Sequence, residues 1–337
     1  MSTPSYEITI GAVTIVTGAI SITVDAQLGI PSDTCEISFP SIAYAVANGI
    51  GTPLTVKLGY KETGVYQVFT GTIDKIRMTL TTVVVSALGF GWRLAGIYLN
   101  KTFEPQSSRS IVGRLCDEAG IIFKDRGTEL PSDLTFKVPY VVDDKRSLYE
   151  NVEELAKKVN YDYYVNHQGE LVYQPYQPPT DANQICTFSF GTNVIEAEQS
   201  RLFRQNYIVR VYGESPSPTK GEGSLSWIAN DPGLRVQTQR QVAGTIPGSP
   251  PRKIIVSDPM IRDTVSADVV VDACAARLSK DYTGLITVLG EPRARLAGTV
   301  ELQNMPEASM NDRFKITRVF HRFEKKTGFV TMIDVER

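Results

Sequence analysis

The sequence predicts a mainly β protein with one small α/β module inserted into it. Three observations carry that prediction. Short runs that alternate apolar and polar residues with a period of two fill residues 1–100 and return from residue 186, with glycine and proline between them. The stretch from Lys101 to Gln174 is the only long one in which helix and strand signals alternate. Hydrophobic residues make up 42% and charged residues 21% of the chain, enough apolar material for a packed core. A length of 337 residues allows about two or three domains.

In the first hundred residues, Tyr6, Ile8 and Ile10 alternate with Glu7 and Thr9, and Ile20, Ile22 and Val24 with Ser21, Thr23 and Asp25. Cys35, Ile37 and Phe39, then Leu54, Val56, Leu58 and Tyr60, then Ile76, Met78 and Leu80 repeat the pattern. Each run reads as a strand with one buried face, the signature of a sandwich or barrel. Ser41 to Ala47 is expected as a short covering helix. Gly59 to Gly64 has the spacing of a phosphate-binding loop, but Val65 stands where that loop requires lysine, so the segment reads as a hairpin turn.

The α/β module is built from local signals. Ser107 and Ser108 offer capping hydroxyls, Ile111, Val112, Leu115, Cys116 and Ala119 recur at helical spacing, and Gly120 closes the run. A short apolar run, Phe136 to Val142, follows a polar loop. Ser147 and Glu150 form a capping box, and behind them Leu148, Val152, Leu155, Ala156 and Val159 make one apolar stripe that ends at Asn160. On the polar side Glu153–Lys157 and Glu154–Lys158 stand four apart, each pair worth roughly 0.2–0.5 kcal/mol. Tyr161 to Val165 and Glu170 to Tyr173 read as a hairpin around Asn166-His167-Gln168-Gly169. Pro175, Pro178 and Pro179 mark the exit linker.

Beyond the linker, Tyr207, Val209 and Val211 alternate with Ile208, Arg210 and Tyr212. Residues 214–252 form a long excursion rich in Gly, Pro and Ser that carries Leu225, Trp227, Ile228 and Leu234. A loop of that length is expected to bind something, and here to order against a partner or a neighbouring subunit. A third helix is read over residues 264–281, with Val269, Ala273 and Ala276 on one face, Val270, Cys274 and Leu278 beside it, and alanines suited to close packing on a sheet. Strands resume at Leu285. In the last long one, Phe314 and Ile316 are apolar, Arg318 intrudes, and the apolar face then changes sides. A β-bulge near Arg318 explains the change, as does a strand end buried on both faces.

Two stretches carry a family resemblance. The first comprises Ser110-Ile-Val-Gly-Arg-Leu-Cys-Asp-Glu-Ala-Gly120, Ser147-Leu-Tyr-Glu-Asn-Val-Glu-Glu-Leu-Ala156 and Gly169-Glu-Leu-Val-Tyr173. The second comprises Ser257-Asp-Pro-Met-Ile261, Arg313-Phe-Lys-Ile-Thr-Arg-Val-Phe-His321 and Thr327-Gly-Phe-Val-Thr331. Leu58-Gly-Tyr60 followed by Val68-Phe-Thr-Gly-Thr-Ile73 fits the same order. In order and spacing the chain resembles the baseplate hub proteins of contractile phage tails, the late control protein D family, whose hub unit also forms the front part of type VI secretion spike proteins. The resemblance covers nearly the whole chain and rests on the ordered set, since no single motif is diagnostic. The excursion at 214–252 does not align with it, and Leu296 to Met310 lacks the expected Pro-Gly pattern.

The resemblance implies two β-barrel-like hub domains, 1–100 and 181–337, flanking the α/β module at 101–180. It implies a virion structural protein, or part of a related injection device, made in the bacterial host cytoplasm and located in the tail baseplate. Three copies would form a ring between the tail tube, or a tube-initiator protein, and a spike, beside other baseplate proteins. The chain stops at Arg337 without a downstream spike region, so the spike is expected as a separate polypeptide.

Composition and motifs weigh against other classes. Lys plus Arg number 35 and Asp plus Glu 37, a net charge of −2, which argues against a dedicated nucleic-acid binder but suits a passage that DNA traverses. Cys35, Cys116, Cys186 and Cys274 are widely spaced and read as free thiols. No apolar run approaches the ~20 residues that span a bilayer, and no signal peptide follows Met1. The sequon Asn100-Lys-Thr102 therefore carries no weight. His167, in a predicted turn, reads as a solvated turn residue, and His321, in a strand, as a structural hydrogen-bonding residue. Asp143, Asp144, Glu153 and Glu154 read as helix-capping or solvated carboxylates rather than a glycosidase pair. Tyr161, Tyr163, Tyr164, Tyr173 and Tyr176 read as core and interface rather than a sugar platform. No residue is assigned a catalytic, cofactor-binding or metal-ligating role, and no enzyme activity is expected. The alternatives are a tail-associated cell-wall hydrolase and a carbohydrate-binding tail-tip module.

Overall fold

The computed structural model describes residues 3–40, 49–124, 130, 133–214, 236–245 and 248–337. The helix expected at Ser41–Ala47 lies outside these residues, as does most of the 214–252 excursion, including Leu225, Trp227, Ile228 and Leu234. The fold is mainly β with a small helical insertion.

The first unit contains strands β1 (Pro4–Ile10), β2 (Val13–Ile15), β3 (Ser21–Gln27), β4 (Thr34–Phe39), β5 (Pro53–Tyr60), β6 (Gly64–Met78) and β7 (Val83–Gly89). They pair antiparallel in the order β3-β4-β7-β6-β5-β1-β2. The inward positions read from the alternation, among them Ile8, Ile10, Ile22, Val24, Ile37, Phe39, Leu54, Val56 and Leu58, are all buried in one cluster. Gly59 to Gly64 is the hairpin end expected, with Tyr60 paired to Gly64.

Three expectations fail here. Ile20 precedes its strand and is exposed. Met78 and Leu80 are exposed too: the β6 register shifts between Ile73 and Lys75, Ile76 still packs against the core, and Met78 and Leu80 lie beyond it. Leu80 itself sits in a turn closed by the Thr79 N–H donating to the Thr82 carbonyl at 2.8 Å. β7 shows no alternation in the sequence because Val83, Val84 and Val85 are all buried, as in a strand covered on both faces.

The module comprises α1 (Trp92–Gly96), β8 (Lys101–Phe103), α2 (Ser108–Ala119), β9 (Ile122–Phe123), β10 (Tyr140–Val142), α3 (Leu148–Val159), β11 (Tyr161–Val165) and β12 (Glu170–Pro175). Local chemistry sets its boundaries. The Ser107 hydroxyl accepts from the Ser110 N–H at 3.2 Å, and Gly120 ends α2 at φ 63°. The Ser147–Glu150 capping box is complete, and Asn160 ends α3 in the left-handed region at φ 55°. Both i,i+4 ion pairs of α3 form, at 3.0 and 3.4 Å. β11 and β12 form the expected hairpin, with β9 added parallel to β12.

The remaining elements are β13 (Ile185–Ser189), β14 (Val194–Arg201), β15 (Tyr207–Tyr212), β16 (Gln237–Val242), β17 (Arg252–Ser257), α4 (Thr264–Leu278), β18 (Tyr282–Leu289), β19 (Thr299–Gln303), β20 (Arg313–Glu324) and β21 (Gly328–Glu336). The third helix thus ends at Leu278 rather than at 281, where the Ser279 hydroxyl donates to the Ala276 carbonyl at 2.7 Å. Val209 and Val211 of β15 and Ala267, Val270, Val271 and Cys274 of α4 share a core with the module. The C-terminal β unit is instead formed by β13, β14 and β18–β21 around Phe188, Ile286, Val300, Ile316 and Ile333.

β20 ties the two β units together. Arg313 to Lys315 pair with β19, and Arg318 to Glu324 pair with β3, so one sheet of 13 strands runs through both units. The register shifts between Ile316 and Arg318, the bulge that the displaced apolar face indicates. Before it Phe314 and Ile316 face the C-terminal core; after it Val319, His321 and Phe323 point inward. Phe323 and Phe329 enter the N-terminal core, so the last hairpin contributes to both. Arg318, at the bulge, pairs bidentately with Asp25 of β3 at 2.8 and 2.6 Å.

Candidate functional site: the junction of three units

A cavity of about 150 Å³ lies where the N-terminal β unit, the module and the C-terminal β unit meet. Its polar lining includes Asp33, Lys124, Tyr164, His167, Arg295 and His321. Both histidines are therefore brought to one place, which no spacing in the sequence indicates.

The hairpin of β11 and β12 delivers His167. The Asn166 side chain accepts from the N–H groups of Gln168 and Glu170 at 2.9 and 3.0 Å, which folds the tip locally. Gly169 then adopts φ +86°, and a Cβ there would lie 2.6 Å from Phe90, so glycine permits the tip to seat on the N-terminal unit. Gln67 of β6 donates to the His167 carbonyl at 2.7 Å, while the Gln67 carbonyl accepts from Arg295 at 2.8 Å. Arg295 also donates to the Ala294 carbonyl at 2.9 Å. One glutamine and one arginine thus bridge all three units.

Burial dominates the electrostatics. It holds His167 at about 4, with the cations Arg295 and Lys124 adding to the effect, so this residue is half-buried and neutral rather than a solvated turn residue. His321 is fully enclosed and held at about 3 by burial and by Arg295. Its Nδ1 lies 3.0 Å from the Thr331 hydroxyl and its ring packs against Phe329, a structural hydrogen bond. Burial lowers Arg295 to about 10, and burial together with the Asp25 carboxylate raises Asp33 to about 8. Asp33, Gln67 and Arg295 carry no sequence signal for this role, since their partners lie far away along the chain.

Of the other candidate residues only Tyr164 reaches this cavity. Glu153 accepts from the Tyr163 hydroxyl at 2.9 Å, Glu154 pairs with Lys158 at 3.4 Å, and Asp143 caps the Lys145 N–H at 3.2 Å. Tyr173 is buried against Tyr161 and hydrogen-bonds Ser108 at 2.9 Å, while the Tyr176 hydroxyl reaches Thr299 at 2.8 Å. The tyrosines thus serve as core and inter-element contacts, with Tyr164 on the cavity wall. None of the four cysteines is disulfide-bonded; Cys35, Cys116 and Cys274 are buried and Cys186 half-buried. Among the described residues no three His, Cys, Asp or Glu side chains gather as a metal site would require. None of the described helices is long and apolar enough to cross a membrane.

A larger open cleft of about 900 Å³ separates α3 and α4 from the C-terminal β unit. Val269, Ala273 and Ala276, one face of α4, line this cleft together with the exposed Val265, while Ala267, Val270, Val271 and Cys274 enter the core shared with the module and Val269 packs partly against it. At its base Lys315 of β20 reaches Asp162 of β11 at 2.5 Å and Glu336 at 3.3 Å.

No family model and no curated protein matches the chain. Solved structures do. The tail protein of prophage MuSo2 from Shewanella oneidensis superimposes with a TM-score of 0.69 at 16% identity, over 99% of this chain and 98% of that one. A tail protein from Neisseria meningitidis gives 0.69 at 11% identity, over 99% and 97%. A type VI secretion component of E. coli, described as structurally similar to bacteriophage T4 tail proteins, gives 0.56 at 9% identity, over 97% and 76%. At these identities the likeness establishes the fold: this chain has the fold of phage tail proteins and of a component of a tail-like secretion device.

Proposed function

We propose that this chain is the structural hub of a contractile tail baseplate. Three copies close into a ring that joins the tail tube, or a tube-initiator protein, to the spike, in contact with other baseplate proteins. The observation that carries this reading is the pair of β units knitted by β20 into one continuous sheet. Three such chains offer six β surfaces, which suits a six-subunit tube ring on one side and a trimeric spike on the other. Each contact within the ring is then heterologous and closes after three steps rather than propagating as a filament. The near-balanced charge, −2 overall, suits a passage through which DNA moves without salt-dependent retention. The likeness to tail proteins over almost the whole chain supports the same reading.

In this role the chain works by geometry and interface, with no reaction and no cofactor. A reconstruction of the intact particle tests it. Three copies on the tail axis between tube and spike are expected; two or six copies, or a place off the axis, would overturn it. Clearing of a peptidoglycan suspension by the purified chain would indicate a hydrolase instead, and binding on a glycan array a receptor module.

A further inference from the structure

Two histidines occur in 337 residues, and the fold brings both to the cavity where the three units meet. The contacts there are those of a joint. The hairpin tip is tied to the N-terminal unit by the Gln67 side chain, and Gln67 is tied by its own carbonyl to Arg295 of the C-terminal unit. Arg295 hydrogen-bonds only to carbonyl groups among the described residues, and the Glu291 carboxylate whose charge reaches it is hydrogen-bonded to Arg293.

The facing charges come from every element around the cavity. Lys124 follows β9, Arg295 lies between β18 and β19, Tyr164 and His167 belong to the hairpin, and His321 belongs to β20. Asp33, between β3 and β4, is the one acid in the lining. Nearby carboxylates are engaged elsewhere: Asp25 with Arg318, Glu170 with Asn166, and Glu291 with Arg293. A proton added to either histidine thus joins two cations, and Asp33, held at about 8, is itself protonated in acid and offers no negative charge to balance them.

We propose that this junction is a proton-operated clasp, which holds the tip of the module on both β units near neutral pH and releases it as the two histidines take up protons.

The sign follows from linkage. In the closed state His167 and His321 sit at about 4 and 3, and opening returns them toward ~6.5. Between these values opening takes up as many as two protons on the histidines. Asp33 opposes this, because closure holds it at about 8 and opening releases its proton. The net uptake is about one proton, so acid opens the clasp; above ~6.5 only Asp33 responds, and rising pH then weakens closure.

Hydrogen exchange of the full chain, corrected for intrinsic rates, tests the clasp. Peptides spanning residues 161–175 should exchange about fiftyfold faster at pH 4 than at pH 6.5, with peptides of β7 unchanged. The double variant His167→Gln, His321→Gln should lose that acceleration, and Asp33→Asn should enlarge it. His167→Gln alone should remove most of it, which decides the matter if the double variant fails to fold. The proposal is overturned if hairpin and β7 accelerate together, if the histidine variants keep the acid response, or if Asp33→Asn abolishes it.

Discussion

Replacing Lys315 with methionine keeps most of the side-chain volume and deletes one charge at the base of the open cleft. Lys315, Asp162 and Glu336 have side chains only 12%, 11% and 17% exposed, so water screens them weakly. Removing one member of a buried pair costs about 3–5 kcal/mol, chiefly because the partner is left unpaired. Two features reduce that here. Glu336 keeps Lys280 at 2.7 Å, and Asp162 can bind a proton. Burial already raises Asp162 above the ordinary carboxylate value against the pull of Lys315, and its second carboxylate oxygen is buried without a hydrogen bond.

A loss of about 2–3 kcal/mol at pH 7 is therefore expected, read as a fall of roughly 3–4 °C in melting temperature by calorimetry. The pH dependence follows from the direction of the shift. A carboxyl raised in the folded state binds more protons folded than unfolded, so its contribution is most favourable in acid and is lost as pH rises through the folded value. Without Lys315 that value moves further up. The deficit of the variant should thus be largest at neutral pH and shrink toward pH 5. Adding Asp162→Asn should restore stability to within about 1 kcal/mol of the parent. A cost below about 0.5 kcal/mol, or a deficit unchanged by pH, would refute the reasoning.

Other outcomes can be checked alongside. Arg318→Ala removes a bidentate pair whose partners are 36% and 29% exposed, and it should cost under about 1 kcal/mol in the same assay, well below Lys315→Met. Ser147→Ala removes the capping box of α3 and should cost about 1 kcal/mol, seen as faster hydrogen exchange in its first turn. Gly290→Ala places a Cβ 2.1 Å from the Phe329 ring and should destabilise by about 1–3 kcal/mol in denaturant unfolding. Phe323→Ala empties a site against Tyr6 in the N-terminal core and should cost about 3–5 kcal/mol, although the residue lies near the C-terminus.

Much of the local structure was legible in the sequence because it depends on neighbours in the chain. The caps at Ser107, Ser147 and Asn160 are satisfied within four residues, and the stripes of α2 and α3 follow from helical period alone. Period two revealed the inward faces of β1, β4 and β5. The break around Arg318 revealed the bulge in β20, because a residue inserted in a strand transfers every later side chain to the opposite face.

Tertiary structure decided what covers those faces. Period cannot say which element packs on a stripe: Val269, Ala273 and Ala276 share one face of α4, but only the folded chain shows that this face borders the cleft while Val270 and Cys274 enter the core. Nor could it show that Met78 overhangs the sheet or that β7 is buried on both faces. The sharing of the last hairpin between two cores and the meeting of His167 with His321 depend on pairings between distant strands. Such pairings are held by backbone hydrogen bonds, which every residue can accept and every residue but proline can donate, and so leave little mark in side-chain identity.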